Sequence, residues 1–131
     1  IIGGEGSGGV ILPQLHYGRD ALVGIAITLQ HLIDFGGSLG ELKSYLPVYY
    51  NSKQKVDISN ISYELIIEKL SDTFKNEKLN FEDGIRIDFT DYWVHIRKSN
   101  TEPILRILTE AKTKEIAENF ASEIKNLIFN L

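Results

Sequence analysis

DGIRIDFTDYWVHIRKSNTEPILRILTE, residues 83–110, decides how this chain folds. Asp83-Gly84 is a turn pair, and after it Ile85, Ile87 and Phe89 alternate with Arg86 and Asp88, the period of a half-buried strand. Thr90-Asp91 turns the chain into a second strand, Tyr92 to Arg97. A polar loop, Lys98 to Pro103, then leads into a third, Ile104 to Glu110. Downstream, Thr113 is placed to cap a helix on which Ile116, Phe120, Ile124, Leu127, Ile128 and Leu131 share one face. Upstream, Tyr63, Ile66, Ile67, Leu70 and Phe74 recur at spacings of three and four, predicting a helix to about Asn76 with Ser59-Asn60 as cap candidates. A strand from Val48 to about Ile58 precedes it. Residues 47–131 therefore read as β-α-β-β-β-α, an α+β unit in which a small antiparallel sheet is backed by two helices.

Residues 1–46 read differently. Glycines 3, 4, 6, 8 and 9 surround Glu5 and Ser7, a backbone free to take positive φ and to approach a ligand closely. Ile1-Ile2 and Val10-Ile11-Leu12 flank it, as buried strands entering and leaving a loop would. From about Tyr17 to Phe35 a helix is predicted, its apolar residues Leu22, Val23, Ile25, Ala26, Ile27, Leu29, Leu32 and Ile33 covering most of its circumference, so that it is expected to be packed on several sides. Gly36-Gly37 stops it. Ser38 with Glu41 is a capping-box pattern for a short second helix that ends near Leu46, where Pro47 forces an exit and a domain boundary is placed. The first segment has too few strands to close a sheet of its own, so its helix is expected to pack on something outside these residues.

The chain of 131 residues has 14 Lys+Arg against 18 Asp+Glu, a net charge of -4, with 43% hydrophobic and 24% charged residues. That is enough apolar surface to fold, and no stripe of basic charge favours nucleic acid or an anionic membrane. The most apolar run, Ala21 to Ile33, falls short of the ~20 residues that cross a bilayer. Without cysteine, a disulfide framework, a thiolate zinc site and a cysteine nucleophile are excluded, and a reducing cytoplasm is compatible. Methionine is also absent and the chain opens on Ile1, so we expect a C-terminal piece of a longer protein. The opening Ile-Ile-Gly-Gly resembles an activated serine protease, but the Gly-Asp-Ser-Gly-Gly segment and the cysteines of such domains are missing.

Two loops carry chemistry. Arg97, Ser99, Asn100, Thr101 and Arg106 lie close in sequence, and guanidiniums, hydroxyls and turn N–H groups together suit an oxyanion such as phosphate. The bland alternative is a solvated turn in which Asn100 takes an unusual backbone conformation and the arginines are ordinary surface residues. In the glycine loop Glu5 would repel an anion, but with Ser7 it can hold neighbouring sugar hydroxyls; a flexible linker is the alternative. Arg19-Asp20 suits a helix start better than catalysis. His16, His31 and His95 lack carboxylates at metal-ligand spacing, and Trp93 and the tyrosines are expected in the core or at its rim.

At these two loops the sequence resembles the α-D-phosphohexomutases, which include phosphoglucomutases, phosphomannomutases and phosphoglucosamine mutases. Gly4-Glu5-Gly6-Ser7-Gly8 matches the family's Gly-Glu-x-Ser-Gly sugar loop in its third domain. Arg97-Lys98-Ser99-Asn100-Thr101-Glu102-Pro103, with Arg106 beyond, matches the Arg-x-Ser-Asn-Thr-x-Pro phosphate loop of its fourth. Gly9 stands where many members have His, while the glycine tract followed by His16-Tyr17-Gly18-Arg19-Asp20 resembles the phosphoglucosamine mutase branch.

The resemblance implies that 1–46 end the sugar-binding third domain and that 47–131 form the fourth, a fold like that of the TATA-box-binding protein. It implies reversible phosphoryl transfer between carbons 1 and 6 of a hexose or hexosamine phosphate, through a phosphoserine and a bisphosphate intermediate, in the cytoplasm. Arg97, Ser99, Asn100, Thr101 and Arg106 would bind phosphate, and Glu5 and Ser7 the sugar. The catalytic serine and the Mg²⁺ ligands would lie in preceding domains, so this piece alone would be inactive. A stand-alone module for an anionic metabolite is the rival reading, and a nucleic-acid binder a more distant one.

Overall fold

The computed structural model describes residues 1–4 and 8–130 and divides into two compact units, Ile1–Pro47 and Val48–Leu131. In the first unit, β1 (Gly3–Gly4) pairs antiparallel with β2 (Val10–Ile11), Gly3 opposite Ile11. Ile1 and Ile2 are exposed, so the flank expected to be buried is not. Helix α1 (Ala21–Phe35) starts later than Tyr17 because Asp20 is its N-cap, accepting hydrogen bonds from the N–H groups of Leu22 (2.8 Å) and Val23 (3.1 Å). Gly36, at φ +73°, closes it in the left-handed conformation that a Cβ disfavours. The capping box forms as expected: the Ser38 hydroxyl accepts from the Glu41 N–H and the Glu41 carboxylate from the Ser38 N–H, opening α2 (Leu39–Ser44).

Within the described residues α1 has no fully buried side chain. Val23, Gly24 and Ile27 are half-buried, with Gly24 drawn close to Val10. Leu22, Ile25, Leu29 and Ile33 are more than half exposed. Among the described residues no helix is long and apolar enough to cross a membrane.

The second unit is an α+β layer pair. Its five strands are β3 (Tyr50–Asp57), β4 (Lys78–Asn80), β5 (Ile85–Asp88), β6 (Tyr92–Lys98) and β7 (Ile104–Ala111), in the spatial order β3-β7-β6-β5-β4, every pair antiparallel. The first strand thus sits beside the last. Helices α3 (Tyr63–Thr73) and α4 (Lys114–Phe129) cover one face, and Ile66, Leu70, Phe120, Ile124 and Ile128 join Val56, Ile85, Ile87, Val94, Ile96, Leu105 and Ile107 in one core. Each fully buried Ile or Leu contributes about 1.5–3 kcal/mol. The Thr109 hydroxyl, also buried, donates to the Ala117 carbonyl (2.7 Å) and ties β7 to α4.

Several boundaries differ from expectation. Ser62, not Ser59 or Asn60, caps α3; Ser59 instead donates through its N–H and hydroxyl to Asp57 (2.8 and 2.6 Å). That helix stops at Thr73, and Phe74 beyond it packs edge-on against Phe89 and Phe120. On α4, Ile116 lies partly exposed at the helix start; the expected contact of Leu131 lies outside the described residues. Edge strand β4 is additional, three residues with one apolar side chain, Leu79, too short for an alternating pattern to register.

Candidate functional site

The loop between β6 and β7 is closed by the Ser99 N–H donating to the Ile104 carbonyl (2.9 Å) and tightened by the Ile104 N–H donating to the Glu102 carbonyl (2.8 Å). The Ile58 N–H donates to the Pro103 carbonyl (2.9 Å), so the end of β3 runs beside the loop's return leg. Ser99 is buried at 6% exposure, and its hydroxyl accepts from the Thr101 N–H at 3.4 Å and lies 3.4 Å from the Thr101 hydroxyl. A side-chain oxygen folding back onto an N–H two residues on is the turn chemistry for which serine is favoured. Asn100 and Thr101 are exposed at the tip. No described non-glycine residue has positive φ, so Asn100 is not there to relieve backbone strain.

Antiparallel register sets Arg97 directly opposite Arg106. Both belong to the face of the sheet away from the helices, because Ile96 and Ile107 take the buried one. The structure therefore gathers Arg97, Ser99, Asn100, Thr101 and Arg106 at one end of the sheet. The predicted sugar-loop residues Glu5 and Ser7 lie outside the described residues.

By sequence Asp83-Gly84 is only a turn pair, yet this turn reaches Arg97. Asp83 accepts from Arg97 Nη1 at 3.2 Å, and its carbonyl lies 2.5 Å from His95 Nε2. Gly84, at φ +77°, lies so close to β6 that a Cβ there would stand 2.2 Å from the Ile96 carbonyl oxygen and 3.0 Å from the Arg97 Cα. One guanidinium nitrogen is thus held by Asp83, and Arg carries further N–H donors for another acceptor. Nearby, Tyr63 has its phenol pushed up, chiefly by burial and then by the Asp83 and Glu64 carboxylates, and the Lys98 ammonium lies 5.8 Å from its ring centre.

Elsewhere on the open face Trp93 is a rim residue that also serves as a platform. The Arg86 guanidinium lies 4.4 Å from its ring centre, and its Nε1–H donates to Glu110 (3.1 Å). Asp20 is occupied as a helix cap and by His16 at 3.0 Å. Among the described residues no group of three or more His, Asp or Glu side chains could hold a metal ion.

Fold and loop together define a two-layer α+β domain with an oxyanion-suited polar loop at one end of its sheet. The family model for the phosphoglucomutase/phosphomannomutase C-terminal domain matches residues 52–127, and the chain belongs to that family. It is 37% identical, over 98% of its length, to a probable phosphoglucosamine mutase of Pyrococcus horikoshii. Over 98% it is 35% identical to a phosphoglucosamine/phosphogalactosamine mutase of Sulfurisphaera tokodaii, and over 91% it is 38% identical to a phosphoglucomutase/phosphomannomutase of Thermococcus kodakarensis. The chain spans only 29%, 29% and 26% of those proteins. The crystal structure of a phosphoglucomutase/phosphomannomutase family protein from Burkholderia thailandensis shares the fold, with a TM-score of 0.73 at 23% identity over 96% of this chain and 27% of that one.

Proposed function

We propose that this chain is the substrate-binding C-terminal portion of a cytoplasmic phosphohexomutase, which moves a phosphoryl group reversibly between carbons 1 and 6 of a hexose or hexosamine phosphate. The observation that carries the reading is the direct pairing of Arg97 with Arg106 beside the folded-back Ser99–Thr101 turn. In this reading Arg97, Ser99, Asn100, Thr101 and Arg106 grip the phosphate that is not being transferred. Each charge-assisted hydrogen bond contributes about 1.5–3 kcal/mol, and that binding energy orients the distant reacting hydroxyl. Glu5 and Ser7 would hold the sugar hydroxyls, a role resting on their motif alone. The phosphoserine and its Mg²⁺, which would stabilise charge on the moving phosphoryl group, belong in this reading to other domains of the whole protein. This chain of 131 residues on its own would then be inactive.

Glucosamine phosphate is the first substrate to test, since similar proteins bear that name. Arg97→Ala in the full-length protein is expected to lower kcat/KM for conversion of glucosamine 6-phosphate by the equivalent of about 2–4 kcal/mol. Arg97 is half exposed, so the thermal midpoint should change little. An unchanged kcat/KM removes Arg97 from the site.

A further inference from the structure

On the open face of the sheet, β3, β7 and β6 are neighbours, and their register sets Lys55 opposite Arg106 and Arg106 opposite Arg97. Three cations therefore stand in one row across three strands, all exposed. Directly opposite side chains have their Cβ atoms about 4.5–5.5 Å apart, and like charges so placed repel. Among the described residues, only Arg97 of the three has a carboxylate partner, Asp83. Asp57, next but one to Lys55 along β3, directs its carboxylate to the N–H and hydroxyl of Ser59. Toward β5 the row ends at Gly84, which has no side chain. Toward β3 it ends at Lys55, close to where that strand runs beside the phosphate loop through Ile58 and Pro103.

We propose that Lys55 is a further phosphate-binding residue, the third cation of the site, and that the row Lys55–Arg106–Arg97 selects the dianionic form of a sugar phosphate. The inference rests on the phosphate-binding reading of the loop. Three adjacent positive charges carrying a single carboxylate leave a local excess that a dianion neutralises. A phosphoryl group near pH 7 carries about -1.5 to -2 and supplies several acceptor oxygens. The flexible lysine stem lets the ammonium reach an anion that the two guanidiniums hold through paired hydrogen bonds.

The test uses full-length protein with glucosamine 6-phosphate, at low and at physiological ionic strength. Lys55→Gln is expected to raise KM about three- to tenfold, more than it lowers kcat, and to make KM less salt-dependent. Lys55→Arg should restore both, and Lys55→Gln without ligand should melt no lower than the parent because a repulsion has been removed. If Lys55→Gln keeps the parental KM and salt dependence while Arg97→Ala weakens binding, Lys55 is excluded and the loop reading stands. If Arg97→Ala is also without effect, the phosphate reading itself fails. A raised KM that Lys55→Arg does not restore, together with a lowered thermal midpoint, would mark Lys55 as structural and overturn the proposal.

Discussion

Gly84 shows how one residue can set a site from behind. It combines positive φ with a Cβ position 2.2 Å from the Ile96 carbonyl oxygen, so any side chain there must push β6 away just where Arg97 leaves it. Gly84→Ala is expected to destabilise by about 2–4 kcal/mol, from backbone strain and the clash with backbone atoms, seen as a lower urea midpoint with unchanged slope. A midpoint equal to the parent's would mean that the turn can move freely, and Asp83 could then not hold Arg97 in place. The turn itself was legible, because Asp-Gly between alternating runs is a local signal. Its hold on Arg97 was not, since Asp83 meets that guanidinium across a strand pair, at a sequence separation no short window spans.

Among the elements, the helices start where polar side chains satisfy free N–H groups, and these caps are also titratable. Asp20 is held below the usual carboxylate range by the Val23 N–H first and by His16 next, and Glu41 by the Ser38 N–H. Asp57 is lowered by the Ser59 hydroxyl, and Glu64, in the first turn of α3, by the Ser62 hydroxyl. A carboxylate with a lower pKa in the folded chain than in the unfolded one stabilises above its unfolded value, near 4, and the effect is lost as pH falls through the lowered folded value. The thermal midpoint should therefore hold above the unfolded carboxylate values and fall as the pH drops below about 4. Glu41→Gln, which keeps the shape without the charge, should show a shallower fall; a slope equal to the parent's would remove that cap from the acid response. Caps at Ser38 and Thr113 were readable because their partners lie three residues away. The cap at Ser62 is not legible in the sequence because Ser59 and Asn60 beside it have the same chemistry, and only packing of Ile66 and Leu70 sets the helix phase.

The molecule as a whole combines a unit with a complete core and a unit without one. Residues 48–131 bury Ile, Leu and Val between sheet and helices, whereas Leu22, Ile25, Leu29 and Ile33 form an exposed apolar stripe on α1. Such a contiguous patch binds hydrophobic probes. This chain is expected to enhance the fluorescence of anilinonaphthalene sulfonate while remaining folded by circular dichroism, and Leu29→Gln with Ile33→Gln should reduce the signal at least twofold. Equal fluorescence from both proteins would place the dye elsewhere.

Sequence alone determined the kinds of most elements, the caps at Ser38, Thr113 and Gly36, and the composition of the polar loop Lys98 to Pro103. These follow from spacings of two, three and four residues and from side chains that bond their own neighbours. Tertiary structure decided that β3 lies beside β7, and so that Lys55 adjoins Arg106, with Arg97 on the next strand beyond it. It also decided that these residues by themselves leave α1 without a fully buried side chain. Strand order is settled by which faces can be buried together, a free energy summed over the whole core, and no local pattern contains that sum.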